Sequence, residues 1–438
     1  MTSILTKQKQ NHYDIIIIGA GLSGLYSAYN IKKMSPQTSF LILESNKKQY
    51  IGGRIGNELF YNVPIVIGAG IGRKKTDKLL FHLLDELKIK YNEFTVDINY
   101  SPLQTNYTDV KKTFDKLREI YEKYKAKPSG TFKQYAIQHL GQELYKSFTI
   151  STGYLDYEQE DVYEVLYHYQ MDNNYPGWKA IHLSWSTLVD KLCDKIGHQN
   201  IKCSSKVQSL SSPGQSLSSS GQSLSSSGQS LSSPLQIFEI TTEQGKKYYA
   251  NKVIVATRIS TTQKLFPQYP IYKEIRGQTF LYVYAKFNKL SAEIMRQCVP
   301  VYTVVSGPLQ KIIPMDLDKG VYMIAYCDNK NAELLKAYLE NTHKNRAYFE
   351  TELEKVLSLK KGTVCILAIK DYYWPIGTHY YSPLDKGKYK SREQFIELAQ
   401  HPCPSILVVG EAVSRKQGWT EGALESVEKV LNKKWLAK

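Results

Sequence analysis

Cysteine is sparse in this chain and badly placed for either disulfide or zinc chemistry. The six cysteines, at 193, 203, 298, 327, 365 and 403, stand far apart, with no CxxC pair and no zinc-type Cys/His spacing. Neither a disulfide framework nor a metal site is expected, and the thiols suit a reducing compartment. Long apolar runs are missing too: none approaches the roughly 18 residues of a membrane span, and the opening MTSILTKQKQNHYD lacks the apolar core of a secretory leader. Together these absences predict a soluble, cytoplasmic protein. HExxH, GxxxxGK[ST], GxSxG and the kinase signatures are also absent, which leaves hydrolase and phosphotransfer readings without residues. Acidic charge is in deficit, 41 Asp and Glu against 57 Lys and Arg, for a net +16. The basic residues, such as Lys7, Lys9, Lys74, Lys111 and Lys344, are scattered without an Arg-rich helix or RNP-type aromatics. They describe a solvated basic surface rather than a specific nucleic-acid site.

What is present is enough for a buried core: 438 residues, 42% hydrophobic, point to about two domains. One segment stands apart, a seven-residue unit repeated four times from Gln208 to Leu235 (QSLSSPG, QSLSSSG, QSLSSSG, QSLSSPL). One Leu per unit among Ser and Gly cannot form a coiled-coil seam, so 208–235 is expected to be a Ser-rich disordered insertion. It falls between IKCSSKV and IFEITTEQGKKYYANKVIVAT, which read as strands with a turn at Glu243-Gln244-Gly245. The repeat thus lengthens a hairpin loop, where added residues cost little. Tyr100 to Tyr169 reads mostly helical; Val110, Phe114, Leu117, Ile120 and Tyr121 share one face of a helix over Asp109 to Lys125, a plausible substrate lid. The acidic run LDYEQEDVYEV, Leu155 to Val165, suits a solvated helix start and is given no catalytic role.

Tyr13 to Ser45, YDIIIIGAGLSGLYSAYNIKKMSPQTSFLILES, carries the strongest motif. Ile15 to Ile18 form a buried parallel strand, Gly19-Ala20-Gly21-Leu22-Ser23-Gly24 matches GxGxxG, and Leu25, Ala28, Tyr29 and Ile31 repeat at helical spacing. A second apolar strand, Phe40 to Leu43, ends in Glu44. The glycines permit a tight turn, close approach to a pyrophosphate and close helix packing, and Glu44 is placed to accept the ribose hydroxyls of an adenosine. This motif alone does not separate NAD from FAD. Ile51-Gly52-Gly53-Arg54-Ile55 and Ile67-Gly68-Ala69-Gly70-Ile71-Gly72 add two further close backbone approaches and a guanidinium suited to phosphate, as a longer dinucleotide would need.

These segments, with KVIVAT at Lys252 to Thr257 and the closing GEAVSRKQGWTEGALES at Gly410 to Ser426, resemble the flavin-containing amine oxidase family, which includes monoamine, polyamine and L-amino-acid oxidases. The resemblance implies an α/β fold: a Rossmann-like FAD-binding domain in discontinuous pieces, 11–98, 197–262 and 400–438, with a second mixed-sheet plus helical substrate domain, 99–196 and 263–399. It assigns to FAD residues Gly19, Gly21, Ser23, Gly24, Glu44, Gly52, Gly53, Arg54, Gly68, Ala69, Gly70, Val207, Gly410, Glu411, Trp419, Thr420 and Ala423. The helix that begins after Gly418 would turn its first amides toward the flavin N1 and O2 edge, where negative charge develops.

The resemblance also implies the chemistry: a neutral amine between two aromatic rings, hydride transfer to the flavin, imine hydrolysis, and reoxidation by O2 with release of H2O2. Trp419 would form one wall of that cage, and Tyr380, by the Gly377-x-x-Tyr380 match, the other. Monoamine oxidases carry, just before the cage Tyr, a Cys that bonds the flavin; here His379 stands there, so FAD is expected to be non-covalent. The family's Lys near flavin N5 falls near Leu281 or Tyr282, neither basic, which leaves Lys286 as the catalytic candidate on that strand and an exposed strand end as its other reading. Two alternatives accompany the amine oxidase reading: a related flavoprotein acting on a non-amine, such as a desaturase or a protoporphyrinogen-type oxidase, and a non-catalytic protein that keeps the fold.

Overall fold

In the computed structural model, which describes residues 11–102, 107–211 and 237–437, the first strand, His12–Ile18, runs through the centre of a seven-stranded sheet. Ile15, Ile16, Ile17 and Ile18 are all buried, as expected of a strand covered on both faces. It pairs in parallel with Phe40–Leu43 on one side and with Lys247–Val255 on the other; Ile406–Val408 extends the parallel set beyond Lys247–Val255. Two antiparallel strands, Val207–Ser211 and Phe238–Thr242, complete one flank.

The helix Leu22–Met34 leaves the first strand through Gly19 to Gly21 and packs Leu25, Ala28 and Ile31 fully inside. Its approach to the sheet depends on Gly24, where a Cβ would lie 2.0 Å from the Gly19 carbonyl oxygen. The helix Thr420–Val430 packs beside it in the same core cluster.

A six-stranded sheet forms the second body of the fold, ordered Ile366–Tyr381, Ile275–Phe287, Val321–Asp328, Lys311–Asp316, Tyr302–Val304, Ile98–Tyr100. The helices Val110–Lys123, Phe132–Leu140, Gln142–Thr152 and Val162–Tyr167 gather around their own cluster of Phe and Tyr side chains. The amphipathic helix expected from Asp109 is present: Asp109 caps it by accepting from the Lys112 amide, and Val110, Phe114, Leu117 and Tyr121 are buried. No helix among the described residues is long and apolar enough to cross a membrane.

Two expectations need adjusting. The start of the serine repeat is ordered, because Gln208 to Ser211 belong to Val207–Ser211 and Leu210 is buried against Ile240 and neighbouring core. Strand pairing and one buried Leu are enough to claim those residues for the sheet; 212–236 lie outside the described residues. The turn beyond it is as expected, with Gly245 at φ +73° and its amide donating to Thr242 O. The acidic run does start a helix, since Asp161 accepts from the Tyr163 and Glu164 amides, but it is buried rather than solvated. Glu164 takes both oxygens to Arg415 Nη1, at 2.7 and 2.8 Å, and Arg392 lies 3.4 Å from it. Buried Arg392 and part-buried Arg415 make burial of that carboxylate affordable.

Candidate functional site

A cavity of ≈1450 Å³ runs from the sheet edge of the first body to the six-stranded sheet. Its walls include Gly19, Gly21, Ser23, Glu44, Gly52, Gly53, Arg54, Gly68, Ala69, Gly70, Val207, Gly410, Glu411, Trp419, Thr420 and Ala423. Of the residues that the sequence nominated for a cofactor, Gly24 alone is not on the wall, and its contact with Gly19 gives it a packing task instead.

Each segment is held in place by a local backbone reason. Gly19 turns at φ +105°, with space for no side chain because a Cβ would meet Ala256 O at 2.5 Å. At Gly21 the opposite holds: its φ of −74° is ordinary, and the nearest atom to an added Cβ is Gly52 O at 4.0 Å, so this position opens onto the cavity. The helix behind it has no side-chain cap, which leaves its N-terminal amides free to face an anion. Glu44 is fixed before any ligand arrives: Oε2 accepts from the Ala20 amide at 2.7 Å and Oε1 from the Asn46 amide at 2.8 Å. The two later glycine segments are knitted together, with the Ala69 amide donating to Arg54 O at 2.9 Å and Gly68 so close that a Cβ would sit 2.1 Å from that oxygen.

Arg54, Glu411 and His379 form one network. Arg54 Nη1 donates to Glu411 Oε1 at 2.6 Å and to Gly377 O at 2.7 Å, and His379 Nδ1 lies 2.5 Å from the same Glu411 oxygen. His379 Nε2 accepts from the Ile259 amide at 3.2 Å, so the ring proton belongs on Nδ1, pointing at Glu411. Burial raises the Glu411 pKa, yet the opposing pull of His379 and Arg54 outweighs it and holds the carboxyl well below the usual range.

At the closing helix, Trp419 stands at the N-cap position without a side-chain cap, and Thr420 Oγ1 is buried with no partner among the described residues. A second uncapped helix start thus faces the cavity. Glu421 does not: its two oxygens accept from the Leu79 and Leu80 amides at 3.0 Å each, capping the helix Lys78–Glu86.

The catalytic nominations separate. Trp419 lines the cavity, whereas Tyr380 and Lys286 do not. Tyr380 pairs in register with Arg276, and Lys286 donates to Lys319 O at a strand end. The register of Ile366–Tyr381 against Ile275–Phe287 slips between Gln278 and Phe280, so that Thr378 opposes one and Trp374 the other. This bulge brings Tyr373 to Thr378 onto the cavity wall and leaves Tyr380 beyond it.

The far end of the cavity, which sequence patterns did not identify, is aromatic: Tyr154, Tyr169, Phe280, Tyr282, Tyr302 and Tyr326, with Asp156 among them. Tyr169 donates to Asp156 Oδ1 at 2.6 Å. Behind Tyr154 and Tyr326, fully buried Lys311 rests its ammonium on both rings. Burial brings its pKa down to about 7 against the opposing pull of Asp328 and Asp156. Trp374, by contrast, had a signal: Pro375 and Gly377 within a strand mark a bulge and redirect the side chains around it.

With this geometry in view, solved structures of amine oxidases match almost the whole chain. A putrescine oxidase double mutant with redesigned cofactor binding aligns at TM-score 0.72 and 13% identity, covering 98% of this chain and 100% of its own. Putrescine oxidase bound to putrescine gives 0.70 and 13%, over 95% and 98%. Cyclohexylamine oxidase of Brevibacterium oxydans gives 0.69 and 15%, over 95% and 97%. The chain has the fold of these amine oxidases, the family that its motifs resemble. No protein-family model matches it. Two curated relatives share short segments: an uncharacterized protein of Acanthamoeba polyphaga mimivirus, 39% identical over 57 residues, and thiamine thiazole synthase of Eremothecium gossypii, 40% over 81 residues. The matched segments span 13% and 18% of this chain, and 11% and 21% of those proteins.

Proposed function

We propose that this protein is an amine oxidase that binds FAD non-covalently and oxidises a small amine, with dioxygen as the second substrate and hydrogen peroxide as a product. The observation that carries the proposal is the agreement between motif and cavity: every residue nominated for FAD, Gly24 excepted, lies on one continuous wall. The site fits the cofactor on its own chemistry. Gly21 leaves room for a phosphate, two uncapped helix starts face inward, and Glu44 presents a fixed carboxylate where ribose hydroxyls would lie.

FAD, when bound, supplies the acceptor for a hydride equivalent. The chain's residues do the rest: the backbone at Gly21 to Ser23 would hold the pyrophosphate, the helix start at Thr420 the electron-rich edge of the flavin, and Trp419 one wall beside the amine. The aromatic far end keeps water out and leaves the amine few orientations. Both nitrogens of His379 are engaged, with Glu411 and with the Ile259 amide, which supports a non-covalent cofactor.

The competing reading, a flavoprotein of the same fold with a non-amine donor, draws on one observation: the strand Ile275–Phe287 brings Phe280 and Tyr282 to the cavity but no lysine. One experiment separates them. The visible spectrum of the purified protein is recorded before and after anaerobic mixing with a panel of amines and L-amino acids. Bleaching of bound flavin by an amine, with FAD released on denaturation, is the expected result. Flavin that stays oxidised with every amine would move the function to another donor, and a colourless protein that takes up no FAD would overturn the proposal.

A further inference from the structure

Trp419 is in contact with a cation on one side. Arg73, 1% exposed, sits in the two-residue strand Gly72–Arg73 with its Cζ 3.7 Å from the centroid of the Trp419 ring. Its guanidinium is tied down around the edge: Nε donates to Asp77 Oδ1 at 2.8 Å, Nη2 lies 2.6 Å from the same oxygen, and Nη1 donates to Gln170 Oε1 at 2.5 Å. Asp77 is itself fully buried and also accepts from the Arg73 amide at 2.8 Å. Glu421, held by the Leu79 and Leu80 amides and 3.5 Å from Lys416 Nζ, is a second carboxylate nearby. Trp419 and Gln170 line the cavity and Arg73 does not, so the ring separates the guanidinium from the ligand space.

An aromatic ring attracts cations through a negative face on each side, and both faces draw on the same π electrons. A guanidinium stacked on one face polarises those electrons toward itself. It also repels any second cation placed against the opposite face, about 7 Å away through a ring that excludes water. Asp77 offsets part of that field without removing the stacking. A buried Arg is costly to maintain unless it is paired and stacked as here.

We propose that Arg73 is a positioning and specificity residue: by occupying the rear of Trp419 it fixes the ring and makes its cavity face a platform for uncharged groups. The face then takes the free-base form of an amine or an apolar substituent and turns away permanent cations. This rests on the proposed function for the word amine and for the FAD that occupies the rest of the cavity; the charge preference itself is measured without turnover.

The test uses two probes of the same shape that differ in charge, choline and 3,3-dimethylbutan-1-ol, titrated calorimetrically into the FAD-loaded protein. In the wild type the neutral probe binds at least as tightly as choline. In the double variant Arg73→Met, Asp77→Asn, which removes both charges so that no carboxylate is stranded, the ratio of the two affinities shifts toward choline by about tenfold. Arg73→Lys, which keeps the charge, stays within about twofold of the wild-type ratio. Choline binding several times more tightly than the alcohol in the wild type would overturn the proposal even if the double variant fails to fold. So would an unchanged ratio in the double variant, an equal shift in Arg73→Lys, or no binding of the neutral probe. Failure of amines to reduce the flavin would refute the amine oxidase reading and leave the ratio to be judged by itself.

Discussion

Gly21 and Gly24 belong to the same motif, and alanine at each is expected to fail in a different way. At Gly24 a methyl group would lie 2.0 Å from the Gly19 carbonyl oxygen, a backbone atom that cannot step aside without moving the strand. Overpacking of that kind costs about 3 kcal/mol or more of fold stability. At Gly21 the backbone is already at φ −74° and ψ 178°, and the methyl group finds nothing nearer than 4.0 Å. Alanine there narrows the unfolded ensemble and stabilises the flavin-free protein by about 0.4–1 kcal/mol. The same methyl group, however, enters the space into which the first turn of the helix Leu22–Met34 points its amides. Displacing a pyrophosphate from one or two charge-assisted hydrogen bonds costs about 1.5–3 kcal/mol, or roughly 10- to 100-fold in FAD affinity. Urea denaturation of the flavin-stripped variants reads the first quantity and a flavin fluorescence titration the second. The reasoning is refuted if Gly21→Ala binds FAD as tightly as wild type, or if its apoprotein is as unstable as Gly24→Ala.

Four further variants address the remaining features. Trp419→Ala is expected to keep FAD while amine turnover falls by about tenfold or more, read as flavin content against peroxide release. Glu411→Gln leaves Arg54 and His379 without their carboxylate partner and should cost about 3 kcal/mol at neutral pH. Because the native pKa of Glu411 is lowered, its contribution is fully present above the unfolded value of about 4.3 and is lost as pH falls below it toward the native one. The difference in urea midpoint between wild type and Glu411→Gln should therefore shrink between pH 6 and pH 3. Glu421→Ala uncaps the helix Lys78–Glu86 and should lower stability by about 1–2 kcal/mol without altering the flavin spectrum. Lys286→Met should leave flavin reduction and reoxidation rates unchanged in stopped-flow absorbance, since that side chain ends on Lys319 O at the surface.

That the residues nominated for a cofactor would line one cavity was legible in the sequence because each glycine there answers a local demand. Gly19 must turn, Gly24 and Gly68 must pack against backbone, and Gly21 must leave room, and all four requirements fall within short segments whose spacing is fixed. The rest of the cavity wall, where the proposed substrate would lie, was not legible for the reason that Tyr380 illustrates. The register shifts by two residues between Gln278 and Phe280, so the bulge turns Tyr373 to Thr378 to the cavity while Tyr380, in regular register with Arg276, lies past the end of that stretch. A count from Gly377 carries no information about where the strand leaves the cavity. Arg73 was hidden differently. Read along the chain it looks like the first of three basic surface residues, Arg73, Lys74 and Lys75; only the fold brings Trp419 onto it and Asp77 beneath it. Glu421, embedded in a motif that pointed to the flavin, turned out to serve a neighbouring helix, because motif membership carries no information about which way a side chain leaves its helix.

The cavity wall is drawn from widely separated stretches of chain: the strand and helix spanning His12 to Met34 on one side, and Ile406–Val408 with Thr420–Val430 on the other. On a ribosome adding roughly 10 residues per second, the second set follows the first by more than half a minute. Through that interval Leu25 faces no closing helix, and Lys247–Val255, which itself emerges only past the midpoint, still lacks its outer parallel neighbour. If the chain binds FAD as proposed, loading waits for Thr420–Val430 to be made. A nascent chain stalled before residue 406 should not retain flavin, however well its opening strand and helix have formed.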